Sequence, residues 1–274
     1  MREIFFKLIS LLNKVTGKKF LYITPNQYND LGKTAVWCDL GFWYVGNVYN
    51  SSDIAYGIAQ NGIVEKEDTS LVTSILNTLD SPNVYDIGAN TGYYGIFAAT
   101  RFNASVYAFE PIPDYISCIK ESSRINRVED RVTTHTLALG DHESELDLNL
   151  SGSGSTLAKD FLGDTPTPHM SVAVRTLDSL DLPTPDFIKI DVEGYEWEVL
   201  QGAYKTISRY QPICFIEIAK TLSERNFVHS HFEDIIEFFE KMGYKIERNT
   251  KNGLVAIDNV PDGVSMYLCK PLKQ

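Results

Sequence analysis

The segment VYDIGANTGYYGIFAA, from Val84 to Ala99, constrains the fold more strongly than any other part of this chain. An apolar strand ends in an acid, a turn with two glycines follows, and an apolar helix begins at once. Gly88 and Gly92 permit a tight turn and a close approach of the backbone to a neighbour, because glycine has no side chain to obstruct either. A strand, a glycine turn and a helix in this order predict the first unit of a parallel α/β sheet.

Helix and strand patterns alternate along the chain from about residue 64. Apolar strands are predicted at Val84–Ile87, Ser105–Phe109, Val132–Leu139, Phe187–Ile190 and Ile213–Ile218. Helices are predicted at Lys66–Leu79, Tyr94–Thr100, Glu196–Ile207 and Phe232–Met242, and a closing hairpin at Tyr244–Glu247 and Ser265–Cys269. This alternation is typical of an α/β protein with a mostly parallel sheet and helices on both faces. Residues 141–175 interrupt it and predict an antiparallel excursion with a Gly/Ser turn at Ser151–Ser155.

The first sixty residues differ from this pattern. Residues 1–20 contain five basic residues and one acid, and place apolar residues at helical spacing. We interpret them as a helix packed on this chain or on a second copy; a basic helix on an anionic membrane surface is the alternative. Residues 35–60 are rich in aromatics and predict a hairpin that seats the N-terminal segment, with a stacking wall for a substrate as the alternative. We therefore predict an appendage over 1–60 and a cofactor-binding domain over 61–274.

The composition excludes several classes of protein. With 36 acidic and 25 basic residues the chain has a formal charge of −11, which argues against nucleic acid as a partner, because that affinity depends on cationic contacts to phosphate. No stretch approaches the roughly 20 apolar residues of a membrane-spanning helix. The four cysteines lie far apart and the histidines form no zinc-type spacing with them, so we predict reduced thiols, a cytoplasmic protein and no dedicated metal motif.

A carboxylate near the glycine turn indicates the type of cofactor. Glu110 ends the second predicted strand, eighteen residues after Gly92, where it is placed to bind the two hydroxyls of an adenosine ribose. A dinucleotide site needs G-x-G-x-x-G, but Asn90 stands two positions after Gly88. Asp86 would repel a pyrophosphate and attract an ammonium group. S-adenosylmethionine has an ammonium, a carboxylate and a ribose but no phosphate, so it is the predicted cofactor.

The predicted roles in cofactor binding follow from this turn. Asp86 is expected to hold the ammonium, directly or through water, and Glu110 the ribose. The backbone is expected to face the methionyl part at four positions, Gly88, Ala89, Asn90 and Gly92. Asp141, after the third strand, is a candidate for the adenine amino group, with an ordinary surface acid as the alternative.

A second acidic motif, DFIKIDVEGYEWEVLQGA, runs from Asp186 to Ala203. Asp191 ends its strand, Glu193 follows in the turn, and Glu217 ends the next apolar strand. Glu196 and Glu198 fit the acidic first turn of a helix. Because parallel strands end at one edge of a sheet, we expect Asp191, Glu193 and Glu217 to converge, where like charges would raise the pKa of one of them.

Together these motifs resemble the FkbM-like family of S-adenosylmethionine-dependent methyltransferases. The resemblance covers about residues 60–220 and rests on DIGANTG, YAFEPIP with Asn126 after it, VRTLDSL, IKIDVEGYEWEVLQGA and PICFIEI. The chain also shares the family's Asn at position 90. The resemblance implies a Rossmann-like class I methyltransferase with a seven-stranded sheet and a reversed last strand. It also implies O-methyl transfer to a hydroxyl of a sugar, a glycan or a polyketide-type natural product.

The residues leave the mechanism open. An alcohol that accepts a methyl group must lose a proton, and Asp191 or Glu193 is the candidate base, with Glu217 orienting the substrate or sharing the proton. The same cluster is an alternative site for a divalent cation that acidifies the hydroxyl. Two other classes compete with a methyltransferase: a nicotinamide-dependent oxidoreductase, disfavoured by the missing glycine, and a non-catalytic module that only binds S-adenosylmethionine.

Overall fold

The computed structural model describes residues 33–163, 166–257 and 262–272. The predicted helix in residues 1–20, with its membrane and self-association alternatives, lies outside the described residues. Within the described ranges, every helix is too short or too polar to cross a bilayer.

Strands and helices alternate along most of the described chain. The strands are β1 (Thr34–Cys38), β2 (Phe42–Gly46), β3 (Asn83–Ile87), β4 (Ser105–Phe109), β5 (Val132–His135), β6 (Ala138–Leu139), β7 (Ser144–Asn149), β8 (His169–Arg175), β9 (Phe187–Ile190), β10 (Ile213–Leu222), β11 (Phe227–Val228), β12 (Tyr244–Thr250), β13 (Gly253–Ala256) and β14 (Gly263–Pro271). The helices are α1 (Ile54–Asn61), α2 (Lys66–Leu76), α3 (Tyr93–Arg101), α4 (Pro113–Asn126), α5 (Glu196–Gly202), α6 (Tyr204–Tyr210) and α7 (Phe232–Lys241).

The main sheet has nine strands among the described residues, in the order β13-β12-β14-β10-β9-β3-β4-β5, with β11 paired to β10. Strands β5, β4, β3, β9 and β10 are parallel to one another. β14 is antiparallel to both β10 and β12, so it alone is reversed among the seven strands from β12 to β5. This confirms the expected seven-stranded arrangement with a reversed last strand. The short strands β11 and β13 extend it.

Both faces of the sheet are covered, which explains why its central strands are mostly apolar. Every residue of β9 is buried, as are four of the five in β3. On one face Val84 and Phe187 pack with α3 and the β1–β2 hairpin; on the other Tyr85 and Ile188 pack with α5 and α7. Parallel sheets are stable in this two-sided arrangement because each face is removed from water.

The β1–β2 hairpin packs on the main sheet's helices through its aromatic residues. Phe42 and Tyr44 lie fully buried beside Tyr93 of α3. The Asn126 side chain, at the end of α4, donates to and accepts from the backbone of Trp43, at 2.6 and 2.8 Å. The aromatics of this hairpin thus form an apolar layer against the helices and do not line a substrate wall. The division into an appendage over 1–60 and a domain over 61–274 stays a prediction.

Two predicted elements are divided in the structure. The strand expected over Val132–Leu139 ends at His135, and β6 joins a separate sheet of order β6-β8-β7. There β7 and β8 form the antiparallel excursion expected from residues 141–175. The helix expected over Glu196–Ile207 consists of α5 and α6, which meet at Ala203.

The join between α5 and the second sheet requires a glycine. A Cβ atom on Gly202 would lie well inside contact distance of the Gly140 carbonyl oxygen. Both partners are backbone, so neither can move aside as a flexible side chain does. Gly202 is therefore fixed by the approach of α5 to the residue that follows β6.

We expect Gly202→Ala to lower the free energy of unfolding by about 1–3 kcal/mol, because the added methyl group forces the backbone apart. Urea denaturation followed by circular dichroism measures the change. Gly154→Ala is the matched control, since the nearest atom to its added Cβ is 3.8 Å away. Equal stabilities of the two variants would contradict this account of the α5 packing.

Candidate active site

A cavity of about 370 Å³ opens at the carboxyl ends of the parallel strands. Seven of the residues predicted from the sequence line it: Gly88, Ala89, Asn90, Glu110, Asp191, Glu193 and Glu217. Ligands bind at this edge in open α/β sheets, where neighbouring strands connect to opposite faces. The two acidic motifs therefore meet in one place, as their strand-end positions indicate.

The backbone of the turn after β3 lies very close to the end of β9. Gly88 and Gly92 have φ values of +72° and +91°, and Asn90 adopts +52°. A Cβ atom on Gly88 would overlap the carbonyl oxygen of Asp191 at the end of β9. This contact joins the glycine turn to the second acidic motif, and no other residue type fits at position 88.

The backbone N–H groups of this turn are already bound within the protein. Gly88 and Ala89 both donate to the Phe109 carbonyl oxygen at 3.0 Å, and Asn90 donates to a Glu110 carboxylate oxygen at 2.9 Å. A pyrophosphate cradle depends on N–H groups that point at the ligand. The occupied amides therefore argue against the nicotinamide dinucleotide alternative.

Glu110 presents a buried carboxylate to the cavity. It is 5% exposed, and its second oxygen accepts from the Ile112 N–H at 2.9 Å. Burial raises the pKa of Glu110 to about 8, while the two backbone donors oppose that rise. Each carboxylate oxygen accepts one of these hydrogen bonds and keeps a free lone pair. Two such oxygens side by side fit the vicinal hydroxyls of a ribose.

Lys189 is a site residue that our sequence reasoning missed. Its buried ammonium lies 2.9 Å from an Asp191 carboxylate oxygen, 3.9 Å from Asp86 and 5.2 Å from the Tyr94 ring centre. Burial alone would lower the pKa of Lys189, but Asp191 and Asp86 outweigh it and raise the pKa above its usual range. The signal was present in the sequence: a lysine inside the buried strand FIKI must be paired, because an isolated buried charge is very costly.

Asp191, Glu193 and Glu217 converge as predicted. Each offers a carboxylate oxygen, and these oxygens lie within 4.8 Å of one another. Burial, then repulsion from Asp191, raises the pKa of Glu193 to about 8 and the pKa of Glu217 above its usual range. Asp191 differs from the two glutamates because Lys189 compensates its charge. The arrangement offers either a proton acceptor or three ligands for a divalent cation.

The buried pair of Glu196 and His229 stabilises the turn that carries Glu193. Glu193 and Gly194 have positive φ values of +55° and +94°. One carboxylate oxygen of Glu196 accepts from the Gly194 N–H at 2.9 Å, and the other lies 3.1 Å from Nε2 of the buried His229. The Thr156 hydroxyl donates to the Glu193 carbonyl oxygen. Glu196 therefore does more than complement a helix dipole: it holds the acidic turn in place.

Three predicted cofactor residues do not line the cavity. The carboxylate of Asp86 is buried behind it, where one oxygen accepts from the Gly95 N–H at 2.9 Å and the other faces Lys189. Gly92 packs against Ile119. Asp141 is exposed and contacts His142 at 2.7 Å. Contacts within the protein thus account for all three positions. The contacts predicted between these three residues and the cofactor stay predictions.

Two loops from distant parts of the chain cover the cavity. One precedes α1 and contributes Ser51, Ser52 and Asp53; the other follows β7 and contributes Ser153, Ser155 and Thr156. They meet where a Cβ atom on Gly152 would lie 3.6 Å from the Ser52 Cβ. The sequence did not predict the contact between these two loops, because irregular loops have no periodic hydrophobic pattern.

The order of the seven strands from β12 to β5 with β14 alone reversed, the glycine turn and the ribose-type carboxylate define a class I methyltransferase. A family model described as the methyltransferase FkbM domain matches residues 86–246. The chain belongs to this family, and S-adenosylmethionine is its cofactor.

Comparison with individual proteins gives similarity over part of the chain. A hexuronic acid methyltransferase, AglP, from Haloferax volcanii is 30% identical over 125 residues, 43% of this chain and 48% of the relative. The alignment therefore spans about half of that relative. The crystal structure of an FkbM methyltransferase from Methylobacillus flagellatus is 20% identical, with a TM-score of 0.49 over 69% of this chain and 44% of that one. TYW2 from M. jannaschii, in complex with AdoMet, is 12% identical, with a TM-score of 0.43, and covers 92% of this chain and 91% of that one.

We expect the cofactor-free protein to lose stability as pH rises from about 5 to 8, and Glu110→Gln to lose less. Native Glu110, with its pKa raised from 4.5 to about 8, holds a proton that the unfolded chain releases in this range. The free energy of unfolding therefore falls with rising pH. Urea titrations across this range measure the slope. The exposed Glu145→Gln is the control and should keep the wild-type slope; an equal slope in Glu110→Gln would contradict the assignment.

Proposed function

We propose that this protein is an S-adenosylmethionine-dependent O-methyltransferase that methylates a hydroxyl of a sugar, a glycan or a natural product. The observation that carries the proposal is that Glu110 and the cluster of Asp191, Glu193 and Glu217 line the same cavity. One side of the cavity suits a ribose, and the other suits a hydroxyl that must give up its proton. Membership of a methyltransferase family supports the transfer itself.

Different residues bind the cofactor and hold the acceptor. Glu110 and the turn from Gly88 to Asn90 hold the cofactor, which when bound supplies an electrophilic methyl group. The covering loops exclude water and fix the acceptor, so the attacking oxygen meets the methyl group in line. Ser153, Ser155 and Thr156 offer hydroxyl groups suited to a polyhydroxylated acceptor.

The structure favours a glutamate over Asp191 as the base. One carboxylate oxygen of Asp191 is engaged in an ion pair with Lys189 at 2.9 Å, so this side chain is held in place by a permanent partner. The pKa of Glu193 is raised to about 8, and a base is most effective when its pKa lies near the working pH; burial raises the pKa of Glu217 as well. General-base catalysis of this kind contributes about 10²–10⁴-fold. The same three carboxylates remain the alternative site for a divalent cation that would acidify the hydroxyl.

A sugar acceptor is supported by the printed activity of one relative, the hexuronic acid methyltransferase of Haloferax volcanii. The similarity supports a carbohydrate hydroxyl as the acceptor. The alignment on which it rests covers about half of the relative. Incubation with labelled S-adenosylmethionine and fractionated glycans, followed by mass spectrometry of the labelled fraction, tests the acceptor class.

We expect calorimetry to show S-adenosylmethionine binding that Glu110→Ala weakens at least about tenfold, since the loss of two hydrogen bonds to the ribose costs about 1.4 kcal/mol or more. Glu145→Ala, on an exposed part of β7, should bind as the wild type does. Tight NADH binding in place of S-adenosylmethionine would support the oxidoreductase alternative. Cofactor binding without transfer to any glycan fraction would support the non-catalytic module.

We expect Glu193→Gln and Glu217→Gln to reduce the maximal rate by about 10²-fold or more if either glutamate is the base. Asp191→Asn should also reduce it, because the substitution removes the partner of the buried Lys189 ammonium and so disturbs the position of the cluster. Each rate is measured with and without EDTA. Insensitivity to EDTA supports a carboxylate base, whereas a loss restored by Mg²⁺ supports the cation. Wild-type rates in all three variants would remove the cluster from the mechanism.

A further inference from the structure

The methionyl end of S-adenosylmethionine carries an ammonium group, and the carboxylate predicted to hold it does not line the cavity. Asp86 is 1% exposed, with one oxygen accepting from the Gly95 N–H and the other facing Lys189. An ammonium that leaves water needs a charged or polar partner, because an unpaired charge is costly away from solvent. A different acid of the cavity wall is therefore needed for this role.

Most acids of the cavity wall already have another partner or another role. Among the described residues, six acids line the cavity: Asp53, Glu65, Glu110, Asp191, Glu193 and Glu217. Asp53 and Glu110 each accept backbone N–H bonds on both carboxylate oxygens, and Glu110 is assigned to the ribose. The three carboxylates of the cluster face the acceptor in the proposed function. Glu65 is the acid that remains.

The Glu65 carboxylate has one oxygen available to a ligand. Its Oε2 accepts from the Tyr94 hydroxyl at 2.7 Å, whereas its Oε1 accepts no hydrogen bond from any residue that the structure describes. Glu65 is exposed at the cavity wall, so a ligand in the cavity can reach this oxygen. An ammonium has three donors and no acceptor, and it forms its strongest hydrogen bonds with an ionised carboxylate.

Two consecutive tyrosines at the start of α3 fix the position of Glu65. The Tyr93 hydroxyl donates to the Val64 carbonyl oxygen at 3.2 Å, and the Tyr94 hydroxyl donates to the Glu65 side chain. Both tyrosines are buried. Glu65 itself has a φ of +46°, in the left-handed region that residues with a side chain rarely adopt. The helix that begins after the glycine turn therefore holds this carboxylate close to that turn.

The place of Glu65 at the edge of the sheet suits a cofactor whose ribose lies on Glu110. Glu110 follows β4, the glycine turn follows β3, and the strand order is β9-β3-β4. Burial lowers the pKa of the Lys189 ammonium in β9, and the carboxylates around it, Asp191 first and Glu65 among them, raise it. Glu65 is thus near β9, which lies about 10 Å from β4, two strand spacings away. A methionyl tail that crosses the glycine turn from the ribose points toward Glu65.

We infer that Glu65 holds the ammonium group of S-adenosylmethionine, the role that the sequence predicted for Asp86. Glu65 lies before residues 86–246, which the family model matches. It is a cofactor-binding residue in this scheme and takes no part in methyl transfer. The inference concerns the cofactor alone and is independent of which acceptor the protein methylates.

The test compares two nucleosides that share the adenosine and the thioether sulfur, S-adenosylhomocysteine and 5′-methylthioadenosine, of which only the first has the amino acid tail. Calorimetry on the full chain measures both affinities. Glu65→Gln keeps an acceptor for the Tyr94 hydroxyl but loses the charge. It should bind S-adenosylhomocysteine about tenfold or more weakly than the wild type, because a charged hydrogen bond to the ammonium is lost. Its affinity for 5′-methylthioadenosine should stay within about twofold of the wild-type value.

Glu67→Gln is the matched control, because it removes one negative charge from the exposed first turn of α2, outside the wall of this cavity. It should bind both nucleosides as the wild type does. Glu110→Ala should weaken both, since both contain the ribose. An unchanged affinity of Glu65→Gln for S-adenosylhomocysteine overturns the inference, and so does an equal loss for both nucleosides. The proposed function fails separately, when the protein transfers no methyl group to any glycan fraction.

Discussion

A single buried ammonium holds the two acidic strand ends together. Lys189 lies between Asp86 at the end of β3 and Asp191 at the end of β9, which are neighbouring parallel strands. Without the ammonium, the buried Asp86 carboxylate and the half-buried Asp191 carboxylate would repel each other, and desolvation of Asp86 would add several kcal/mol. The ammonium removes that repulsion, so Asp86 can order the first turn of α3 while Asp191 faces the cavity. The rest of the site depends on this arrangement.

This pairing also explains why three similar acids differ in chemistry. Asp191 makes an ion pair with Lys189, whereas for Glu193 and Glu217 burial and repulsion from Asp191 outweigh the attraction of nearby cations and raise the pKa. Burial therefore favours the protonated form of both glutamates. Environment alone separates the roles here, since the functional group is the same in all three.

The elements with strong local patterns could be predicted from the sequence, and the site residues at strand ends with them. β3, β4 and β9 lie where their apolar runs placed them, because a buried parallel strand must be apolar on both sides. The convergence of Asp191, Glu193 and Glu217 followed from the shared edge of the sheet.

Features that depend on long-range contacts could not be predicted. The break between β5 and β6 depends on pairing with β8, some forty residues away. The separation of α5 from α6 accompanies the close approach of Gly202 to Gly140. Asn126 is conspicuous in its motif, but its hydrogen bond to Trp43 is visible only once the hairpin is in place.

The hydrogen bonds between Asn126 and the hairpin also have a consequence for synthesis. The hairpin leaves the ribosome before α4, yet its edge is satisfied only when Asn126, 83 residues later, has been made, so the hairpin completes its bonding only after β3 and β4, the first two strands of the main sheet, exist.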